Sequence, residues 1–475
     1  MRATPVDRVV GPGSLAATTA VVVALGVATA VAPALAVAAL AAVALLVFPE
    51  LLLLAAAVAL EEQTTAGGSY EQANILVRVG GETFYGGEVA GLRVVTLVTL
   101  AAAAAVILRH RVSWRTVRGP DAWLVLGLVV LTTVTAFAAT GDPIGSLTAA
   151  SPWVVLGCSM IIGRRLAEDR TARHRAERVV VALVAAKAAL GLLIFTTGRG
   201  LYDPNGLLSI VYFDGTTPMV AGAVLVVCLI ARRAGSALAT GFVVLMSAIV
   251  IVVAMRRTSV VALAATVLVV SLVGRQWKAL SRLWAGALLA VVAAAVLVPA
   301  AFAAFAASIE RAWSTVLSGT GESSAQGHVE DIRIAWEAVK ASPIRGLGYG
   351  QEPPVGLVGS VLSDRLYVHN ELFQVWLQLG LAGAVLSTAL IAVLFVRGAR
   401  TMRRGGDPMT LAAAVVCVGL PFSLVWFPHL STTFRWPILV GVSSGLLLAR
   451  RSTDRPTPGP AASIGVPADV AVETP

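Results

Sequence analysis

His369 begins a short polar sequence that leads into a long apolar run. Asn370 follows it directly, and Glu371, Gln374 and Gln378 recur at the spacing of one helical face. Polar side chains at membrane depth are expensive and usually face the protein interior or a water-filled cavity. An imidazole at the mouth of such a cavity suits general-base chemistry, because histidine changes its charge near neutral pH. A histidine with a purely structural place at the membrane interface is the alternative.

A pair of arginines, Arg256 and Arg257, lies in a short turn between two apolar runs. The topology derived below places this turn outside the cytoplasm, against the usual preference of Lys and Arg for the inner side. Planar guanidinium groups match the oxygens of phosphate, so the pair is a candidate anion-binding site. Two arginines that only extend to the lipid headgroups are the alternative interpretation.

One long polar segment, 305–368, separates two groups of apolar runs. Within it, His328 to Lys340 has the periodicity of an amphipathic helix, with Arg333 on its polar face. The predicted apolar stripe consists of Val329, Ile332, Trp336 and Val339. Pro343 ends the helix, and glycines follow at positions 346, 348 and 350. Such a glycine-rich turn either lets the backbone approach a ligand or serves as a plain connector.

The elements that must position these residues are membrane helices. Apolar residues make up 57% of the chain and charged residues 13%, which excludes a soluble globular domain. Several apolar runs approach the ~20 residues that span the hydrocarbon core as a helix. They are apolar on all sides and lack the alternation of a membrane β-barrel. The predicted fold class is all-α, a polytopic transmembrane bundle of about 12 to 14 spans with short helices in one extracytoplasmic loop.

Arginine clusters between the apolar runs set the predicted topology. Placing them in the cytoplasm puts both termini inside and the loop outside, with one span between alternate segments. Residues 14–60 fit three short crossings, or a re-entrant hairpin that lowers the count. The predicted divisions are a cytoplasmic N-terminus (1–13), a membrane bundle (14–304), the extracytoplasmic loop (305–368), C-terminal spans (369–450) and a disordered cytoplasmic tail (451–475).

The net charge of +10 reflects this topology. Arginines cluster between apolar runs and form no stripe with interleaved aromatics, so nucleic acid is not an expected partner. Cys158, Cys228 and Cys417 lie far apart within apolar runs, without His or Cys at metal-ligand spacing. We therefore expect small core residues, and no metal site.

A set of motifs in the second half of the chain resembles the bacterial O-antigen ligase and polymerase superfamily. The set runs from Arg333 and Trp336 through Pro343, the Gly-Leu-Gly-Tyr-Gly turn and the His-Asn-Glu-Leu-Phe-Gln sequence to Gly380 and Gly383. The resemblance implies a membrane glycosyltransferase that moves glycan from a polyprenyl diphosphate carrier to a glycan or lipid acceptor. It implies a reaction at the outer face of the cytoplasmic membrane, among membrane lipids, without metal or other cofactor.

The resemblance also assigns roles to individual residues. It makes His369 the catalytic residue, Arg333 the loop arginine, and Arg256 or Arg257 the arginine at the start of a mid-chain span. The Arg-Arg-Thr-Ser sequence departs from a single arginine flanked by small residues, so either of the pair can hold phosphate. Further predicted substrate-binding residues are Asn370, Glu371, Gln374, Arg345 and Arg435, of which the last two have no firm match in the family.

This chemistry is physically coherent. Guanidinium groups stabilise the charge that develops on the departing diphosphate, and His369 takes the proton of the attacking hydroxyl, with inversion at the anomeric carbon. A transporter or flippase of lipid-linked saccharide is the alternative function, although the sequence has no internal repeat and its polar residues concentrate on the outer side. Ligase and polymerase share a donor and differ in acceptor, so both stay open.

Overall fold

The chain is almost wholly helical wherever the structure describes it. This computed structural model describes residues 47–62, 78–110, 119–197, 201–202, 208–209, 213–230, 237–254, 257–274, 323–349, 351, 354–357, 366–426 and 428–448, with isolated positions between 278 and 310. The all-α membrane bundle expected from the apolar runs is confirmed. The predicted crossings within 14–46 and the predicted tail at 451–475 lie outside the described residues.

Thirteen helices are numbered here within the described part of the chain. They are α1 (Pro49–Ala59), α2 (Val94–His110), α3 (Pro120–Thr140), α4 (Pro143–Glu168), α5 (Arg170–Thr196), α6 (Thr216–Ile230), α7 (Ala237–Val253), α8 (Arg257–Gly274), α9 (Ser323–Ala341), α10 (Glu371–Arg404), α11 (Pro408–Leu424), α12 (His429–Thr432) and α13 (Arg435–Leu448). A π-helical segment (Arg78–Tyr85) precedes α2. Two small antiparallel hairpins pair β1 (Glu88–Val89) with β2 (Leu92–Arg93) and β3 (Leu201–Tyr202) with β4 (Leu208–Ser209).

The helix ends follow local sequence signals. Asp142 caps α4, since its carboxylate accepts from the amides of Ile144 and Gly145 at 3.0 and 2.9 Å. Asp407 caps α11 in the same way, through the amide of Thr410 at 3.1 Å. Both helices begin with proline, which lacks an amide proton and tolerates the first turn.

Three described helices are long and apolar enough to cross a membrane, namely α3, α4 and α10. Seven shorter apolar helices accompany them in the described part of the chain. This agrees with a polytopic bundle, while the number of spans stays a prediction because the first residues are not described.

Small residues let the central helices pack closely. A Cβ atom on Gly163 of α4 would lie 2.1 Å from the carbonyl oxygen of Val442 in α13. One on Gly445 of α13 would lie 2.2 Å from the carbonyl oxygen of Met160. Without side chains at these points the two backbones come into direct contact, as is usual between membrane helices.

Ion pairs define one end of the bundle, which we call the arginine end. Arg397, late in α10, lies 2.5 Å from Asp121 at the start of α3, and Ser444, late in α13, donates to the same carboxylate at 2.5 Å. At this end, too, Arg173 of α5 lies 3.4 Å from Asp407. Because α10 and α13 reach the arginine end with their last turns, they begin at the opposite end, called the distal end. The helix α6 begins there too, since its Thr217 is bonded to Arg435 at the start of α13.

The loop helix α9 contains the predicted helix at His328 to Lys340, and its apolar stripe was predicted correctly only in part. Val339 of that stripe is buried, whereas Val329 and Trp336 are 70% and 43% exposed. Asp331 and Ala335 complete the buried face, which is rotated relative to the predicted one. A hydrophobicity pattern assigns a carboxylate such as that of Asp331 to the solvent side.

The glycine turn after α9 packs against a kink in α10. Gly346 and Gly380 have φ values of +70° and +69°, a region that favours glycine. The amide of Leu347 donates to the carbonyl of Leu377 at 2.7 Å, and that of Leu381 donates to Ile344 at 3.0 Å. In this structure the described part of the turn connects the loop to the bundle.

Candidate functional site

His369 lies at the distal end, directly before α10, and the polar residues around it fix its backbone. The side chain of Asn370 caps α10 by accepting from the amide of Phe373 at 3.2 Å. Gln374 is buried; it accepts from the amide of Val368 at 2.8 Å and donates to the carbonyl of Leu366 at 2.9 Å. Both predicted substrate-binding residues thus hold the segment that carries the histidine.

The imidazole of His369 is paired with a carboxylate from the loop helix. Its Nδ1 lies 2.5 Å from Oδ2 of Asp331 in α9, whose side chain is fully buried, while 18% of the histidine side chain is exposed. A proton on Nδ1 donates to this carboxylate and leaves the lone pair of a neutral ring on Nε2. Asp331 was not among the residues predicted from the sequence. The helix that carries it was predicted from its apolar periodicity, which does not single out a carboxylate.

Two aromatic rings enclose the imidazole. The ring of His328 meets it edge to face at a centroid distance of 4.2 Å, and Tyr367 does so at 5.1 Å. Burial, and then the nearby His369, lower the pKa of His328 from 6.5 to about 4. His328 is therefore neutral at neutral pH and acts here through its shape.

Glu371 connects this region to the last helices. Its buried carboxylate accepts from the amide of Leu430 in α12 at 2.9 Å. The preceding residue, His429, stacks on Trp436 of α13 at 5.5 Å. Of the predicted polar stripe of α10, Glu371 thus points towards the last helices, whereas Gln374 is bonded to the segment that precedes α10.

Arg435 is the centre of a second, closed cluster at the distal end, here called the ion network. Its Nη1 lies 2.7 Å from Glu61 and 2.6 Å from Asp214. Its Nη2 donates to Thr217 and to the carbonyl of Val58 at 2.8 and 3.1 Å, and its Nε donates to Ala57 at 2.6 Å. With an exposed fraction of 1%, this predicted substrate-binding arginine has all five of its N–H groups directed at protein atoms.

Further charged residues complete the ion network. Lys187 of α5 is paired with Glu61 and donates to Thr217 at 2.9 Å. Glu62 accepts from the amides of Phe434 and Arg435 and so caps the start of α13. The network joins α1, α5, α6 and α13. Of its members, only Arg435 was predicted from the sequence. The others could have been found as ionisable residues that lie within apolar runs or at their ends.

The predicted arginine pair marks the start of α8. Arg256 lies outside the described residues, and Arg257 is the first residue of the helix, with its side chain not described. Two residues further, Ser259 donates to the carbonyl of Gly215 at 3.2 Å. A Cβ atom on Gly215 would lie 3.6 Å from Nε2 of His429. The helix start is thus adjacent to Asp214 of the ion network and to His429.

Two other predicted arginines lie at the surface. Arg333 directs its guanidinium to Glu330 on the same helix, at 2.5 and 2.9 Å, and 64% of its side chain is exposed. Arg345 is exposed in the glycine turn. Neither is brought against the imidazole of His369 in this structure, so their role in binding substrate stays a prediction.

The fold and the histidine–carboxylate pair define a polytopic helical membrane protein with a polar site at one end of its bundle. The family model described as O-antigen ligase matches residues 241–388, a region that runs from α7 into α10 and contains Arg257, Asp331 and His369. The resemblance to the O-antigen ligase and polymerase superfamily is thereby confirmed. The family indicates a glycan-transferring membrane enzyme. No curated protein matches the chain.

Proposed function

We propose that the chain transfers or polymerises glycan from a polyprenyl diphosphate-linked donor onto an acceptor hydroxyl at the outer face of the cytoplasmic membrane. The products of such a reaction are cell-surface polysaccharides. Undecaprenyl diphosphate is the expected carrier. The proposal combines the O-antigen ligase match over 241–388 with the position of His369 inside that region.

The observation that carries the proposal is the pairing of His369 with the buried carboxylate of Asp331 at 2.5 Å. A neutral imidazole with its proton on Nδ1 presents a basic Nε2, which is what the attack of a hydroxyl requires. The position of His369 at the distal end, opposite the arginine end, supports a site that faces away from the cytoplasm.

The proposed reaction forms one C–O bond and breaks another. The acceptor oxygen attacks the anomeric carbon while its proton moves to Nε2 of His369. The bond from that carbon to the diphosphate breaks on the opposite face, its electron pair leaves with the phosphate oxygen, and the sugar is inverted. General-base assistance of this kind contributes about 10²- to 10⁴-fold.

The leaving diphosphate needs positive charge, which we assign to the arginine pair at the start of α8 and to Arg333. Guanidinium groups stabilise phosphate oxygens best where their charge develops during the reaction. The ion network supports the first assignment, since it orders Asp214 and Gly215 against the turn that carries Ser259. We propose that these arginines act in place of a metal ion.

Transfer by purified protein in nanodiscs tests the proposal. Radiolabelled polyprenyl diphosphate glycan is supplied with an acceptor glycan, with and without a chelator. We expect new glycosidic bonds with chelator present, and loss of at least about 10²-fold with His369→Ala. His174→Ala is the matched control, because His174 lies on α5 and is paired with Glu177 in an exposed position.

The same protein reconstituted in sealed lipid vesicles tests the alternative function. Movement of the labelled lipid between leaflets without new bonds would favour a transporter or flippase. Full transfer by His369→Ala would remove the histidine from the mechanism. Arg333→Ala and Arg257→Ala, measured alongside, show which arginines serve the donor, through an increase in its KM or a fall in kcat.

A further inference from the structure

The side chain of His369 is fixed by groups from two separate elements. Asp331, on α9, contacts its Nδ1, and His328, one turn earlier on the same helix, lies against its ring. Tyr367, two residues before it, covers another side. A carboxylate at Nδ1 sets the rotation of the ring, and two edge-to-face contacts oppose other rotamers.

Asp331 is an unusual residue for the buried face of a loop helix. A carboxylate removed from water is costly unless hydrogen bonds or a cation compensate for it. The arginine two residues along, Arg333, turns away to the exposed Glu330. The imidazole of His369 meets the buried carboxylate instead, at 2.5 Å.

The distance between Asp331 and His369 depends on how α9 docks. Ala335 and Val339, which continue the face of Asp331, are buried in a small apolar cluster with Leu357, Val368 and Leu377. Val368 directly precedes His369, so the cluster holds both partners of the pair.

We infer that Asp331 is the positioning residue of the site, which orients His369, fixes its proton on Nδ1 and stabilises the imidazolium formed when Nε2 takes up the acceptor proton. The inference rests on the proposed function, since it assumes that His369 is the base. A carboxylate in this place raises the rate without touching substrate, because it lowers the free energy of the charged ring in the transition state. His328 and Tyr367 restrict the rotation of the ring through their edge-to-face contacts.

Asp331→Asn removes the charge with little change in shape. We expect kcat to fall by about 10²-fold or more, because an amide that donates to Nδ1 favours the wrong tautomer. The KM for the lipid-linked donor should change by less than about 3-fold, since Asp331 does not contact it. Asp331→Glu should recover part of the loss. Glu337→Gln is the matched control, because it removes an exposed carboxylate on the same helix that is paired with Lys340. It should retain activity within about 2-fold.

The pH profile separates positioning from a merely structural role. Among the contacts that the described residues show, the charged groups facing His369 are Asp331 and, when protonated, His328, while Glu371 turns to the amide of Leu430. Loss of the carboxylate makes the imidazolium less stable, so the acid limb of the rate profile should move to lower pH in Asp331→Asn. Wild-type kcat with an unchanged profile would overturn the inference.

A double variant distinguishes this inference from the proposed function. If Asp331 acts through His369, Asp331→Asn should cause no further loss in a His369→Ala background. An equal loss in both backgrounds would show that Asp331 acts elsewhere, and full activity of His369→Ala alone would instead contradict the proposed base. Should Asp331→Asn fail to fold in a thermal melt, Asp331→Glu decides. A kcat lowered by about 10-fold at constant KM supports positioning, and wild-type kcat contradicts it.

Discussion

The pair of Asp331 with His369 and the ion network around Arg435 both join carboxylates to basic groups, but they differ in how far each basic group is accessible to solvent. In the network, every guanidinium N–H of Arg435 is directed at a protein oxygen. In the pair, the carboxylate contacts one nitrogen of the imidazole, and 18% of the histidine side chain is exposed. Charge alone therefore does not identify a reactive group. Access to solvent separates the histidine from the buried arginine.

Arg435→Gln should have the largest effect and test the structural side of the comparison. Removal of the guanidinium leaves the buried Asp214 without its ion-pair partner and Glu61 with Lys187 alone. Breaking a buried ion pair in this way destabilises a fold by about 3 to 5 kcal/mol. We expect a large drop in the thermal midpoint in detergent and little monodisperse protein. Arg345→Gln, at an exposed arginine, should leave both unchanged. A normal melt with lost transfer would instead place Arg435 in substrate binding.

Gly380→Ala should have the next largest effect on stability and activity, because the substitution would push the glycine turn of the loop away from α10. A Cβ atom there would lie 2.1 Å from the carbonyl oxygen of Ile344, in addition to the strain of a φ of +69°. We expect a lower thermal midpoint and a fall in kcat of about 10-fold, because α9 no longer packs in its position beside His369. Gly405→Ala is the matched control, with φ of +75° and no atom of the described residues within 4 Å of an added Cβ atom. Because its ψ is −177°, it shares the strained backbone region of Gly380, and its cost is about 1 to 3 kcal/mol of backbone strain alone.

His328→Phe should have the smallest effect. It tests whether His328 contributes to the histidine site as a neutral ring. Phenylalanine keeps an aromatic ring against His369, so transfer should fall by less than about 5-fold at neutral pH. The pKa of His328 is lowered to about 4 in the fold, so the unfolded chain binds its proton more readily. Stability due to this residue is present above about pH 6.5 and is lost as the pH falls towards 4. Thermal melts across this range should show less acid sensitivity in the variant, whereas equal sensitivity would contradict a neutral, buried His328.

Much of the fold was predictable because the signals of a membrane helix lie within the helix's own stretch of sequence. Long apolar runs and capping residues such as Asp142 and Asp407 lie within one segment of sequence, and their signals agree with the structure. The family match equally depends on contiguous motifs. The number of spans was not predictable to the same degree, since residues 14–60 allow several arrangements.

The site was predictable only in part, because its decisive contacts join distant segments. His369 was found from its place before a polar stripe, but Asp331 is 38 positions away and pairs with it only once α9 docks. The ion network likewise brings Glu61 to Arg435 across a separation of 374 positions. No periodicity records such pairings. A single sequence shows that an ionisable residue lies in an apolar run, but it does not show which residue contacts it in the fold.

The docking of the loop on α10 has a consequence for the design of chimeras between related chains. Pro343 and Leu347 are bonded to Trp376 and Leu377, and Leu366 is bonded to Gln374, all before the kink at Gly380. A chimera whose junction falls at the start of α10 would therefore import a loop and leave its docking partners behind. A junction placed after Gly380 carries the loop, the first two turns of the helix and the histidine as one inheritable cassette.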